Sequence, residues 1–133
     1  MSFPKVPYPI KTRQLAVLAA TDDTVDLLTA RSANHRLYVQ RIEVSLTTYS
    51  AVTWTFRDDA STPVPIAHLS IPAAAPTAGG DGGTIVWDFG PLGTPLTAGK
   101  NLDLEMSAAG AAGIINILAY ERLEGPVALA STN

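Results

Sequence analysis

The sequence offers few side chains with the spacing that catalysis or metal binding requires. Its two histidines, His35 and His68, lie far apart, and neither belongs to a His-x-His or His-Glu-x-x-His motif. The chain has no cysteine, which excludes disulfide scaffolds, thiol catalysis, zinc ribbons and iron–sulfur clusters. No serine lies in a Gly-x-Ser-x-Gly nucleophile motif. The sequence therefore predicts no catalytic residue, no cofactor and no metal, and it argues against an enzyme.

Carboxylates form two short clusters in which a hard cation could find oxygen ligands. Asp22, Asp23 and Asp26 form the first cluster, and Asp58 and Asp59 form the second. The first cluster departs from an EF-hand loop, which has a central glycine and a glutamate at its twelfth position. Both clusters fall at predicted turns, where aspartate accepts hydrogen bonds from nearby backbone N–H groups. Turn stabilisation is therefore the expected role, and calcium binding is the alternative.

Two further features resemble ligand sites but have a simpler interpretation. The glycine-rich segment 79–83 lacks the Lys-Ser/Thr of a phosphate-binding loop, and no helix is predicted after it. It is expected to be a flexible crossover loop. Trp54 and Trp87 alternate in phase with the apolar residues of their segments, so packing in a core is expected rather than a ligand platform.

Charge and composition limit the partners of the protein. Twelve acidic and nine basic residues give a net charge of −3, which disfavours binding to nucleic acid and to anionic membrane surfaces. No apolar run is long enough for a transmembrane helix, and the N-terminus lacks the pattern of a signal peptide. Charged residues make up 16% of the chain, against about 25% in an average domain. A chain with so little charge is expected to cover part of its surface with another chain.

Alternation of apolar and polar residues indicates about eight short strands and no amphipathic helix. The strongest alternation, over 37–57, changes phase near Gln40 and Arg41, which predicts a bulge there. The short connection at 48–51 then predicts that the two strands on either side of it form an antiparallel hairpin. The strand at 64–71 is expected at a sheet edge because Pro63 and Pro65 interrupt it. The remaining predicted strands are 13–20, 24–29, 84–89, 101–106 and 114–122.

These strands, with long connections at 72–83 and 90–100, predict an all-β fold. The predicted architecture is an antiparallel eight-stranded β-sandwich of the jelly-roll type, with extended N- and C-terminal arms. An immunoglobulin-like sandwich is the main alternative, although it would lack its usual disulfide.

The chain divides into an extended N-terminal arm at 1–12, a β-sandwich domain at 13–122 and a C-terminal tail at 123–133. Pro4, Pro7 and Pro9 fix φ and remove backbone donors, which is typical of an extended arm. Apolar side chains recur along both ends, and we expect them to bind a partner rather than dock on their own domain. The predicted partner-binding residues are Phe3, Val6, Tyr8, Ile10, Leu123, Val127 and Leu129.

Several segments taken together resemble the jelly-roll capsid cement, or decoration, proteins of tailed bacteriophages. They are LYVQRIEVSL at 37–46, VTWTF at 52–56, DFG at 88–90, PLTAGKNLDL at 95–104, SAAG at 107–110 and AYE at 119–121. The resemblance covers 13–122 and implies a non-enzymatic virion structural protein, made in the host cytoplasm and located on the capsid exterior. It implies that the protein binds and stabilises the shell of major capsid protein as a homo-oligomer, often a trimer, with no nucleic acid or membrane partner.

Other functions remain open on the sequence. The protein could be a phage tail, baseplate or fibre component whose β-sandwich binds a receptor or glycan. It could also be a carbohydrate-binding or adhesive module of a cellular protein, or an enzyme whose site the sequence does not reveal. An exposed aromatic groove that binds glycan would favour the first of these alternatives over cement.

Overall fold

The computed structural model describes residues 10–20, 24–75 and 84–124, and these residues form β-strands joined by turns and loops. Each of the eight predicted strands overlaps an observed strand, and the two-residue β7 has no predicted counterpart. The strands are β1 Ile10–Val17, β2 Val25–Leu28, β3 His35–Thr48, β4 Val52–Asp58, β5 Pro65–Ile71, β6 Thr84–Asp88, β7 Thr94–Pro95, β8 Leu102–Met106 and β9 Ala112–Leu123.

The strand order is that of a jelly roll. Sheet A has the order β1-β9-β3-β6, with β7 also pairing with β3, and sheet B has the order β2-β8-β4-β5. The antiparallel pairs β1–β9, β2–β8, β3–β6 and β4–β5 are successive parts of one two-stranded ribbon that doubles back between β4 and β5. These pairs alternate between the two sheets, which wraps the ribbon around a common core. The predicted fold class is confirmed.

The core lies between the sheets and is filled from alternate positions of the strands. In β4, the buried Val52, Trp54 and Phe56 alternate with half-buried residues. Trp87 of β6 packs against this core, and its ring centroid lies 5.5 Å from that of Phe56. The expectation that both tryptophans pack in the core is therefore confirmed, with Trp54 fully buried and Trp87 partly so.

β3 changes the phase of its alternation at Gln40. Val39 is buried before this point and Ile42 after it, and the register with β9 shifts between Val39 and Arg41. The predicted bulge is confirmed, since one extra residue moves the later side chains back to the core face.

The predicted hairpin between β3 and β4 is wrong. β3 belongs to sheet A and β4 to sheet B, so the short connection at 49–51 crosses from one sheet to the other. β3 already has β9 on one side and β6 with β7 on the other, which leaves no edge for β4. A short connection fits either a tight turn or a crossing between facing sheets, so its length did not distinguish them.

The limits of the sandwich differ slightly from the predicted ones. β1 begins at Ile10 and β9 ends at Leu123, so residues 10–12 and Leu123 lie in strands rather than in arms. β5 lies at the edge of sheet B and pairs with β4, as its prolines predicted. Residues 1–9 and 125–133, which hold the rest of the predicted arms, and the predicted flexible loop at 79–83 lie outside the described residues.

A buried carboxylate joins two loops at the end of β4. Asp58 Oδ1 accepts hydrogen bonds from the backbone N–H groups of Ala60 and Val64, and Oδ2 accepts from the N–H and hydroxyl of Thr97. Asp59 Oδ1 accepts from the N–H of Asn101 at 2.8 Å. Burial by itself would raise the pKa of Asp58, but the bonds from Thr97, Val64 and Ala60 together hold that pKa below its ordinary value. The predicted turn role is confirmed for this pair, whereas Asp22 and Asp23 lie outside the described residues.

Replacing Trp54 with alanine should lower the free energy of unfolding by about 3–5 kcal/mol, because it leaves a cavity at the centre of the core. Urea denaturation followed by circular dichroism measures the change. A loss below about 1 kcal/mol would show that Trp54 is not part of a packed core.

Asp58→Asn should lower the free energy of unfolding at neutral pH by about 1–3 kcal/mol, because the amide cannot accept both sets of hydrogen bonds. The folded pKa of Asp58 is lowered, so its contribution is present above about pH 4 and lost as the pH falls further. The difference between the two proteins should therefore shrink in acid. Asp88→Asn is the control, because exposed Asp88 accepts one bond, from the N–H of Gly90. A difference that is the same at neutral and acid pH would contradict the assignment.

Candidate interaction surface

The first and last strands bring both ends of the described chain to one end of the sandwich. Ile10 is the register partner of Tyr120, and β9 ends three residues later at Leu123. Both predicted partner-binding residues within the structure are exposed, Ile10 by 62% and Leu123 by 56%. The other predicted partner-binding residues, Phe3, Val6, Tyr8, Val127 and Leu129, lie outside the described residues.

A pair of stacked tyrosines lies on the outer face of sheet A at this end. Tyr38 of β3 and Tyr120 of β9 are register partners, and their rings are parallel to within 2° with centroids 4.9 Å apart. The hydroxyl of Tyr120 donates to the carbonyl of Leu92 at 2.6 Å. This bond holds the loop between β6 and β7 against the sheet, and it leaves the Leu92 side chain 79% exposed. We call Ile10, Leu92, Tyr120, Leu123 and Glu124 the terminal-end surface.

Glu124 fixes the point at which the C-terminal segment leaves the sandwich. Its carboxylate accepts hydrogen bonds from the hydroxyl of Tyr38 and from Arg36 Nε, the latter at 2.8 Å. Arg122 Nε lies 4.0 Å from the same carboxylate, and the backbone N–H of Glu124 donates to the carbonyl of Asn34. These contacts hold Glu124 to both β3 and the loop that precedes it.

The same contacts set the protonation of Glu124 and Tyr38. The hydrogen bond from Tyr38 is the largest influence on Glu124 and lowers its pKa, burial opposes this, and Arg36 and Arg122 lower the pKa further. The pKa of Tyr38 is raised by burial, and then by its bond to Glu124 and by the charge of that carboxylate. The cluster therefore favours an ionised Glu124 and a protonated Tyr38.

Long cationic side chains close the side of the sandwich formed by β1 and β2. Lys11 Nζ donates to the carbonyl of Thr29 at 2.5 Å, and Arg13 Nη1 donates to the carbonyls of Asp26 and Leu27. Lys11 also lies 3.4 Å from the buried carboxylate of Glu121. Because these carbonyls are occupied, the edge of β2 is protected from pairing with a strand of another chain.

An open depression of about 380 Å³ lies on sheet A beside the terminal-end surface. Its lining combines hydroxyl, amide and guanidinium groups with aliphatic side chains, and it contains no histidine or carboxylate that could serve as a general base. The lining residues are Thr12, Arg13, Gln14, Arg41, Asn116, Ile117 and Leu118.

Each histidine of the chain has a hydroxyl group within hydrogen-bond distance of one ring nitrogen. His35 Nδ1 is 2.7 Å from the hydroxyl of Ser32, and His68 Nδ1 is 3.1 Å from that of Thr55. Across residues 10–20, 24–75 and 84–124, no group of three histidine or carboxylate side chains is placed to hold a metal ion. Within the same ranges, no helix has the length and hydrophobicity needed to cross a membrane.

Two solved structures resemble the chain at low sequence identity. One is a chain of Bacillus endospore appendages, which form disulfide-linked pili; it aligns over 94% of this chain and 97% of its own at 11% identity, with a TM-score of 0.45. The other is from the crystal structure of tomato aspermy virus; it aligns over 100% of this chain and 86% of its own at 16% identity, with a TM-score of 0.42. No family model and no curated protein matches the chain. The function therefore has to be argued from the surface of this chain itself.

The stacked tyrosines and the contacts of Glu124 were not predicted from the sequence. Tyr38 and Tyr120 both occupy outward positions of predicted strands, which was the available signal. Their contact depends on β3 lying beside β9 in one particular register, and alternation within each strand does not encode that pairing.

Replacing Tyr38 with phenylalanine should raise the pKa of Glu124 towards that of an ordinary glutamate, because the variant keeps the stacked ring and removes the hydroxyl donor. Carbon-13 NMR titration of the Glu124 carboxyl measures the shift. Tyr120→Phe is the matched control, since that hydroxyl donates to Leu92 and not to Glu124. Equal titration of Glu124 in the wild type and both variants would contradict the role of Tyr38.

Proposed function

We propose that this protein is a non-enzymatic structural component of a bacteriophage virion, which binds the outside of the capsid and stabilises its shell of major capsid protein. The observation that carries the proposal is the terminal-end surface, where both chain ends leave one end of a jelly roll among exposed apolar side chains. A cement protein needs a shaped body and segments that reach neighbouring subunits; the sandwich supports the first requirement, and the proposal assigns the second to residues 1–9 and 125–133.

The apolar residues of the ends provide the binding energy in this proposal. Burying a large apolar side chain contributes about 1.5–3 kcal/mol, from which the entropy cost of ordering the segment is subtracted. Two segments that leave the same end can bind one partner surface together, and binding of the first raises the effective concentration of the second. The held position of Glu124 limits the directions in which the C-terminal segment can start.

We propose that the protein acts as a homo-oligomer, most simply a trimer placed where capsid subunits meet. The low fraction of charged residues supports self-association, because the centres of such interfaces are depleted in charge. The protected edge of β2 argues against assembly by strand addition on that side. Analytical ultracentrifugation tests this directly, since a trimer has three times the chain mass.

Replacing Phe3, Val6 and Tyr8 together with serine should weaken binding to undecorated capsids by about tenfold or more, since about 1.4 kcal/mol of lost burial is sufficient. The melting temperature of the isolated protein should not change, because in this proposal these side chains bind the capsid and not their own domain. Cosedimentation with undecorated shells measures the binding, and the disruption temperature of the shells measures their stabilisation.

Val86→Ser is the matched control for this experiment. Val86 is 43% exposed on β6, away from the terminal-end surface, so its replacement should leave capsid binding unchanged. Capsid binding that survives the triple replacement would contradict a role for the N-terminal segment. Binding of the oligomer to glycans, with no binding to capsids, would contradict the cement proposal and support a receptor-binding tail or fibre component.

A further inference from the structure

Two carboxyl groups face each other across the pairing of β2 with β8. Asp26 of β2 is the register partner of Asp103 of β8. Asp103 is only 5% exposed, although it alternates with Leu102 and Leu104, which point into the core. Its Oδ1 atom is buried and has no hydrogen-bond partner among the described residues. A buried charge in such a position is costly unless it is paired.

Two arginines lie near this pair and each contacts another group, although Arg57 Nε is buried without a hydrogen-bond partner among the described residues. Arg57 of β4 is the register partner of Asp103 on its other side, but Arg57 Nη1 lies 3.3 Å from the carboxylate of Glu105. Arg13 Nη1 donates to the backbone carbonyl of Asp26 at 2.8 Å. Asp59 adds a further negative charge to the surroundings of Asp103.

Two carboxyl groups on paired positions of neighbouring strands disfavour the state in which both are charged. Burial is the largest influence on the pKa of Asp103 and raises it. The hydrogen bond to Asp26 and the charges of Asp26 and Asp59 raise it further, and the charge of Arg57 opposes them; the resulting pKa is about 7. When Asp103 loses its proton, two like charges lie directly across the backbone pairing of β2 and β8, where they repel.

β2 is the element on which this repulsion acts. It has four residues, lies at the edge of sheet B and has β8 as its neighbouring strand in the sheet. Its register with β8 is already irregular between Asp26 and Leu28. A short edge strand with few pairing partners is among the first elements of a fold to open.

We propose that Asp103 keeps its proton opposite Asp26 in the folded protein, and that loss of this proton is a conformational switch that loosens β2 from the edge of sheet B. The switch also acts on β1, because the carbonyls of Asp26, Leu27 and Thr29 accept the hydrogen bonds from Arg13 and Lys11. It therefore controls how firmly the strand that follows the N-terminal segment is held. The proposal does not depend on the capsid-binding function.

The direction of the pH effect follows from the two protonation states. An aspartate in the unfolded chain loses its proton near pH 4, whereas folded Asp103 keeps it up to about pH 7. The folded state binds more protons between these values, so stability falls as the pH rises through this window and then levels off. The contributions of Asp58 and Glu124 have the opposite sign and are lost only in acid, below this window.

The first test compares urea denaturation midpoints at about pH 5 and about pH 8.5. The urea midpoint of the wild type should be lower at the higher pH than at the lower pH. The midpoint of Asp103→Asn should change less, and at the higher pH it should exceed that of the wild type. Asp26→Asn provides a second variant, because it breaks the pair from the other strand. Asp88→Asn is the control, since it removes one carboxylate at an exposed position of β6 in the other sheet and should keep the wild-type pH dependence.

The second test locates the effect by amide hydrogen exchange, corrected for the intrinsic pH dependence of exchange. Protection of β2 and then of β1 should fall by about tenfold or more from acid to alkaline pH in the wild type, while β3 and β9 stay protected. In Asp103→Asn, the protection of β2 should not change with pH. The same loss in Asp103→Asn, or protection of β2 in the wild type that does not change with pH, would overturn the proposal. Stabilisation at high pH by calcium, reversed by a chelator, would also overturn it and would identify the pair as a cation site.

Discussion

The antiparallel pairing of β1 with β9 is the constraint on which the rest of the structure depends. It begins where Ile10 meets Tyr120, so the described chain enters and leaves the sandwich at one end. Because a jelly roll is one ribbon wound on itself, the outer pair also orders the inner ones, from β2–β8 to β4–β5. The terminal-end surface is thus a consequence of topology, and the stacked tyrosines and Glu124 then fix its details.

Three carboxylates show how the surroundings of one chemical group determine its role. Asp58 is buried but accepts four hydrogen bonds, so its charge is stabilised and it joins two loops. Glu124 is held by a tyrosine hydroxyl and two arginines at the last described position. Asp103 is buried opposite another aspartate while Arg57 forms an ion pair with Glu105, so the protonated form of Asp103 is favoured. These differences depend on partners distant in sequence, which are Thr97 for Asp58, Tyr38 for Glu124 and Asp26 for Asp103.

Local patterns predicted much of the fold and little of the surface. Alternation located the strands, the bulge at Gln40 and the burial of Trp54, because each depends on which face of one strand meets the core. The hairpin between β3 and β4 was wrong, because the length of a connection does not show whether the chain turns within a sheet or crosses between sheets. The pairing of Tyr38 with Tyr120, and of Asp26 with Asp103, depends on the register between distant strands, which a single sequence does not encode.

The central claim is that the terminal end of the jelly roll faces a capsid shell. A cryo-electron microscopy reconstruction of shells carrying this protein tests it most directly. The predicted result is a jelly roll whose Ile10 and Glu124 lie nearest to the major capsid protein, with density for residues 1–9 running along the shell. The claim would be contradicted if the jelly roll contacted the shell through its opposite end, where the connections at 49–51 and 107–111 lie. Shells that carry no added density would also contradict it.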